Sequence, residues 1–173
     1  MKKQYNREAI KIIEKYSKRV SVFQTDGKNI DASVVENFGE EWLKFKDYSD
    51  NEIRSAGNMY FDILNDQIVN KSTYGLDIGC GTGRWTKFLS DKIGFIEAID
   101  PSDSIFAAAE LLKNVENVRL AKASIENIPF DDETFDFVMS IGVLHHIPDT
   151  QAAMMDCVKK VKKNGYFFCY LYY

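Results

Sequence analysis

Apolar positions along the chain follow two periodicities, one in each part. From Met1 to about Phe23, Tyr5, Ala9, Ile12, Ile13, Tyr16, Val20 and Phe23 recur at helical spacing with mostly Lys and Arg between them. That pattern predicts an N-terminal helix with a solvated, basic face. Asp26-Gly27, within Gln24 to Ile30, reads as a turn. Ser33 and Glu36 make a capping-box pair ahead of the segment Val34 to Tyr48, in which Phe38, Trp42 and Phe45 cluster at helical spacing. Ser49 and Glu52 repeat the signal before a second helix, whose Ile53, Ala56, Gly57, Tyr60, Ile63, Leu64 and Ile68 share one face.

Beyond this region short apolar runs alternate with amphipathic ones. Tyr74 to Ile78 reads as a strand and Arg84 to Ile93 as a helix; Phe95 to Ile99 is a strand ending in Asp100, and Asp103 to Lys113 a helix opened by Pro101-Ser102. Val118 to Ala123 and Phe135 to Ser140 are the next strands, followed by a helix from Thr150 to Lys163 closed by Asn164-Gly165, and by a last strand from Tyr166 to Tyr173. This order predicts an α/β, Rossmann-like, doubly wound and mostly parallel sheet of about five strands, with helices on both faces and a ligand site along the carboxyl edge. The chain then divides into an N-terminal helical extension or lid, residues 1–72, and a binding domain, residues 73–173. The last strand has no charge, proline or glycine. As a bare edge it invites pairing, so self-association through it is expected.

Composition narrows the function classes. The net charge of −4 gives no reason to expect a nucleic-acid partner. Three cysteines, Cys80, Cys157 and Cys169, lack C-x-x-C spacing and suggest neither a disulfide framework nor a zinc site; no metal is expected, and a reducing cytoplasm suits them. No apolar run is long enough to span a bilayer, so no membrane partner is expected.

The chemistry concentrates where the first of these strands meets its helix, in Leu76-Asp77-Ile78-Gly79-Cys80-Gly81-Thr82-Gly83-Arg84. Glycines at alternate positions let the backbone take positive φ and approach a ligand closely. The dinucleotide fingerprint needs a third glycine where Arg84 stands, and Asp77 would set a carboxylate against a pyrophosphate. A ligand carrying an ammonium or a sulfonium would welcome that carboxylate. Asp100, at the end of the next strand, is placed to accept hydrogen bonds from both hydroxyls of a ribose.

The run resembles the first motif of the class I S-adenosylmethionine-dependent methyltransferases of the small-molecule type, and later segments resemble their other motifs in order. The resemblance covers about Tyr74 to Tyr173. It implies S-adenosylmethionine as cofactor, S-adenosylhomocysteine as product and a small-molecule substrate as methyl acceptor. It implies cofactor contacts from Asp77, Gly79, Cys80, Gly81, Thr82 and Gly83, and from Asp100, Pro101 and Ser102. Ala123 to Phe130 is similar to the A-x-x-x-P-F segment, in which an acid commonly meets the adenine amino group; Ser124 stands in that acid's place, with Ile125 positioned to cover the ring. Phe135 to His146 is similar to F-D-x-V-x-S-x-x-V-L-H-H, which places Ser140, Ile141, Gly142 and His145 at the site. Asp136, early in that strand, is structural. Phe38 to Phe45 is similar to a lid element, F-G-x-E-W-x-x-F, and Arg54 stands where it could reach a cofactor carboxylate. The family ordinarily adds two strands after the fifth; they are expected to be missing here, as in a C-terminally truncated chain.

His145 and His146 are the only histidines and flank the expected site, where an imidazole could take a proton from the acceptor. No catalytic residue is assigned on that ground alone. Two other functions are compatible with the sequence: a non-catalytic cofactor-binding or interaction module, and a nicotinamide-dependent oxidoreductase, which Asp77 and Arg84 disfavour.

Overall fold

The computed structural model describes residues 2–44 and 48–172, without the side chains of Phe38 and of residues 41–44. The aromatic lid element expected at Phe38, Trp42 and Phe45 therefore lies outside the described residues in its side chains. Strands β1 (Lys11–Lys15), β2 (Lys18–Val22), β3 (Tyr74–Ile78), β4 (Phe95–Asp100), β5 (Val118–Lys122), β6 (Phe135–Ile141) and β7 (Val161–Tyr170) form one sheet in the order β1-β2-β5-β4-β3-β6-β7. Every neighbouring pair is parallel except β1 with β2. The helices are α1 (Ala32–Lys44), α2 (Asp50–Tyr60), α3 (Arg84–Ser90), α4 (Ser104–Leu111) and α5 (Thr150–Lys159).

The N-terminal helix is the largest correction. Lys11 to Val22 is a β-hairpin, and the sheet has seven strands instead of about five; the extra pair lies on the edge opposite β7. Tyr16 and Ser17 turn the hairpin with φ of 51° and 65°, a left-handed pair that normally selects Asn-Gly. Without that dipeptide the hairpin carries no local signal, and helical spacing of its apolar residues was accidental. What decides is a partner distant in sequence: β2 pairs with β5, and Val20 is fully buried there. The extension is consequently not all helical, and its first strands belong to the main sheet.

Alternation along the strands divides the core in two. Ile96, Ala98, Val118, Leu120, Phe137 and Met139 face the layer of α2, α3 and α4, meeting Ile53, Phe61, Trp85, Phe88, Ile105 and Leu112. Tyr74, Leu76, Ile78, Ile99, Ala121 and Val138 face α5 and the covering loops, meeting Ile128, Phe130, Leu144 and Cys157. On this second face the residues before β1 act as cover: Tyr5 packs edge-on against Phe23 at 4.8 Å, and its ring lies under the Arg119 guanidinium at 4.0 Å. Arg119 in turn forms a two-pronged pair with the buried Glu97, at 2.6 and 2.7 Å, and Tyr74 donates its hydroxyl proton to the same carboxylate.

Element ends also moved. Asp31, not Ser33, caps α1: its carboxylate accepts from the backbone N–H groups of Ser33 and Val34. The Ser49–Glu52 capping box forms as expected, but α2 stops at Tyr60, leaving Ile63 exposed beyond it. α5 ends at Lys159, and Asn164-Gly165 belongs to an excursion within β7, where the register against β6 shifts between Phe135 and Phe137. Asn164 takes φ of 67° there, and a Cβ on Gly165 would lie 2.8 Å from the Asp136 carbonyl oxygen. Asp136 is structural, its carboxylate accepting from Tyr74 N–H and from Lys162 Nζ.

Candidate functional site

Four strand ends meet at the carboxyl edge of the sheet and bound an open cleft of about 1070 Å³, counting its mouth. The loop after β3 contributes Gly79, Cys80, Gly81 and Thr82; the end of β4 contributes Asp100, Pro101 and Ser102; the stretch after β5 contributes Ala123, Ser124 and Ile125; the end of β6 contributes Ile141 and Gly142. These include eleven of the fifteen site residues expected from sequence.

The glycine loop is held by the neighbouring strand. Gly79 and Cys80 donate their N–H groups to the Ile99 carbonyl at 2.8 and 3.0 Å. Gly81 donates to Asp100 Oδ2 at 2.8 Å. Asp100 Oδ1 accepts from Ser102 N–H at 2.8 Å and from Ser102 Oγ at 2.6 Å. A carboxylate has about four acceptor positions, so this one keeps capacity toward the cleft. Gly81 has φ of 53° and open space where a Cβ would stand, so its missing side chain leaves ligand room. Ser124 is 3% exposed, and its buried hydroxyl oxygen has no hydrogen-bond partner. Such an orphan is costly in a finished core, and Ser124 lines the cleft, where a ligand group can supply the bond.

The remaining four expected residues do not line the cleft. Asp77 is on the face of β3 that meets α3, where it is buried and accepts the Thr86 hydroxyl at 2.5 Å. Burial first, and the Asp100 charge after it, push its carboxyl up to about 7 against the opposing Thr86 hydrogen bond. Gly83 faces α4: a Cβ there would lie 2.9 Å from Leu112 and 3.1 Å from Ala108. Ser140 is fully buried and donates to the Ile78 carbonyl at 3.0 Å, tying β6 to β3. His145 packs between His146, at 3.9 Å between ring centres, and Tyr172, at 4.1 Å, both in tilted contact, with both its ring nitrogens buried and unpartnered.

It is His146 that reaches the cleft, together with Val143, Ile147 and Tyr172. Burial lowers the pKa of both imidazoles below the usual 6.5, and for His145 the neighbouring His146 charge acts in the same direction. Arg84, which breaks the dinucleotide fingerprint, is the cation that lines the cleft, its guanidinium 4.3 Å over the Trp85 ring; Arg54 is exposed on α2 and does not line it.

A strap that sequence reasoning missed closes the top. Residues 24–31 cross from the end of the hairpin to α1, and Asn29, Ile30, Asp31, Val34 and Val35 face the cleft. Glu126 accepts from the N–H groups of Gly27 and Asn29 at 2.9 and 2.8 Å, anchoring the strap to the wall after β5. On the opposite wall Asn29 exchanges two hydrogen bonds with the Asp149 backbone, at 3.0 and 2.8 Å. The Asp26-Gly27 turn was the sole hint, and it carries nothing about partners a hundred residues away.

A parallel α/β sheet with a glycine loop and a strand-end acid around one such cleft defines a nucleoside-binding class of fold. Residues 76–169, more than half of the chain, match the family described as "Methyltransferase domain", and the chain belongs to that family. It is similar to the demethylmenaquinone methyltransferase of Staphylococcus aureus (strain JH9), at 32% identity over 111 residues, which are 62% of this chain and 46% of that protein. The chain thus spans about half the length of the curated relatives it matches. Among solved structures, a SAM-dependent methyltransferase from Aquifex aeolicus superposes with TM-score 0.60 at 22% identity, over 72% of this chain and 67% of that one. A Haemonchus contortus phosphoethanolamine N-methyltransferase 1, solved with phosphoethanolamine and S-adenosylhomocysteine, gives 0.62 at 18% identity, over 80% and 32%. At these identities the structural likeness is one of fold.

Among the described residues no helix is long and apolar enough to cross a membrane, and no group of three or more His, Cys, Asp or Glu could hold a metal ion.

Proposed function

We propose that the cleft binds S-adenosylmethionine and that the protein transfers its methyl group to a small-molecule acceptor, leaving S-adenosylhomocysteine. The observation that carries this reading is the convergence of Gly81, Asp100 and the unpartnered Ser124 hydroxyl, from three strand ends, on one cleft. Asp100 has acceptor capacity for the ribose hydroxyls, Ser124 Oγ meets the adenine amino group, and Ile125 covers the ring. Arg84 receives the carboxylate of the amino-acid tail. Asp77 acts from beneath the glycine loop: its ionised form is destabilised by burial, and a cation above the loop offsets that cost.

The cofactor supplies an electrophilic methyl group. The chain's own task is to hold the acceptor in line with it and to exclude water. The strap and α1 perform the second part, which gives residues 1–72 a lid role over the domain of residues 73–173. In the same reading the five parallel strands β3 to β7 are the family's core, and β7, at the edge of the sheet, is where a further strand or a second copy pairs. Sedimentation at rising concentration checks that pairing.

The decisive experiment is calorimetric titration with S-adenosylhomocysteine. Asp100→Ala is expected to weaken binding at least about tenfold, as for loss of hydrogen bonds to a charged acceptor. Unchanged affinity in this variant, or binding of NAD with none of S-adenosylhomocysteine, overturns the reading.

A further inference from the structure

The wall of the cleft that carries Ser124 and Ile125 has little structure of its own. It is a short 3₁₀ turn, Ile125–Asn127, closed by a hydrogen bond from Asn127 N–H to the Ser124 carbonyl at 3.1 Å. The strap grips this turn through Glu126. A second grip comes from the segment ahead of β1.

Arg7 Nη1 donates to Asn127 Oδ1 at 2.9 Å. Asn6 donates its backbone N–H to the Pro129 carbonyl at 3.1 Å and its Nδ2 to Asp131 Oδ1 at 3.2 Å. The segment is itself fixed to the sheet. The Lys3 carbonyl accepts from Arg119 Nη2 at 2.8 Å, Arg119 being paired with the buried Glu97, and the Tyr5 ring packs against both Phe23 and Phe130. Asn127 is buried, and its Nδ2 has no partner. A guanidinium offers donors only, so Arg7 dictates that the carboxamide oxygen faces it and thereby sets the orientation of the Asn127 side chain.

We infer that Arg7 is a positioning residue for the cofactor: acting through Asn127, it holds the turn at which Ser124 Oγ and Ile125 meet the adenine, although it does not itself line the cleft. The inference rests on the cofactor reading above and adds to it a residue outside the cleft, in a segment whose sequence promises no more than a solvated, basic face. Without the Arg7 bond the carboxamide is free to rotate toward the hydrogen bond that its Nδ2 lacks, and the turn loosens. A hydroxyl displaced by about 1 Å loses its bond to the adenine amino group, because hydrogen bonds weaken steeply outside their distance range. Asp100 and the glycine loop are tied to each other and to the Ile99 carbonyl, and stay in place. The effect of Arg7 is therefore confined to the adenine end of the ligand.

The test is calorimetric titration with S-adenosylhomocysteine and with its analogue carrying hydrogen in place of the adenine 6-amino group. The wild type should favour S-adenosylhomocysteine about fivefold, as expected for one neutral hydrogen bond. Arg7→Ala should weaken S-adenosylhomocysteine about threefold and the analogue hardly at all, so that the ratio falls below about twofold. Arg7→Lys, which keeps a cationic donor, should restore most of the ratio. Asn127→Ala should reproduce the loss, and adding Arg7→Ala to it should change nothing further. A residue that merely stabilised the fold would weaken both ligands alike, so an unchanged ratio in Arg7→Ala refutes the inference, as does an additive loss in the double variant. A wild type that binds neither ligand removes the cofactor reading itself; one that binds both equally removes the Ser124 contact, and this inference with it.

Discussion

Replacing Asp77 by Asn should change the pH dependence of stability between acid and neutral pH. The Asp77 carboxyl is buried, has one hydrogen-bond donor in Thr86, and titrates at about 7 instead of 3.8. For an acid the sign is fixed: below the unfolded pKa both states are protonated and no cost exists. As pH rises from 3.8 to 7 the unfolded chain ionises while the folded chain does not, so stability falls, and above 7 the full cost is present. At about 1.4 kcal/mol per pH unit that cost is about 4 kcal/mol. Total stability of a domain is only about 5–15 kcal/mol, so the effect is large enough to measure. Urea unfolding followed by tryptophan fluorescence from pH 4 to pH 9 should show the wild type losing stability toward neutral pH relative to Asp77→Asn. The difference between the two curves should change by a few kcal/mol across that window, even if Asn starts lower for want of a partner for its amide N–H groups. Parallel curves would show that Asp77 ionises freely in the folded state, and the account of a costly carboxylate beneath the glycine loop would be wrong. Adding S-adenosylhomocysteine, which lacks the sulfonium charge, should relieve the cost less than S-adenosylmethionine does.

Three further outcomes are expected. Gly81→Ala should keep the fold, paying about 1–2 kcal/mol for its left-handed φ, yet lose S-adenosylhomocysteine binding because its Cβ points into open cleft; Gly57→Ala, whose Cβ would lie 2.3 Å from the Phe88 ring, should lower the melting temperature and spare binding. Glu126→Gln combined with Asn29→Ala should release the strap and speed ligand dissociation several-fold in stopped-flow measurements, while the sheet amides stay protected in hydrogen exchange. Arg119→Leu leaves Glu97 buried without its cation and should cost about 3–5 kcal/mol in denaturant unfolding, a loss that Glu97→Leu in the same chain largely restores.

What the sequence by itself determined was the repeating half of the molecule. Strands β3 to β7 and their helices are each an apolar run bounded by local signals, and the glycines at 79 and 81 and the acid at 100 lie on strand ends because the pattern ends there. Residues adjacent in sequence to a strand end are adjacent in space to the cleft, so most of the candidate site was legible. The direction of individual side chains was not. Asp77 and Ser140 lie one residue inside strands buried on both faces, where a continuous apolar run hides which way each residue points. His145 and His146 are neighbours in sequence, and only the packing of Tyr172 against them decides which imidazole reaches the cleft.

The N-terminal region was decided by tertiary structure. A hairpin turned by Tyr16-Ser17 has no intrinsic signature, and its second strand exists because β5 offers a free edge. The strap is fixed the same way, by a Glu126 carboxylate and an Asp149 backbone some hundred residues beyond it. Local patterns report what a segment can do alone; hydrogen bonds formed across the chain report what folding adds, and the cover of this cleft is made almost wholly of those.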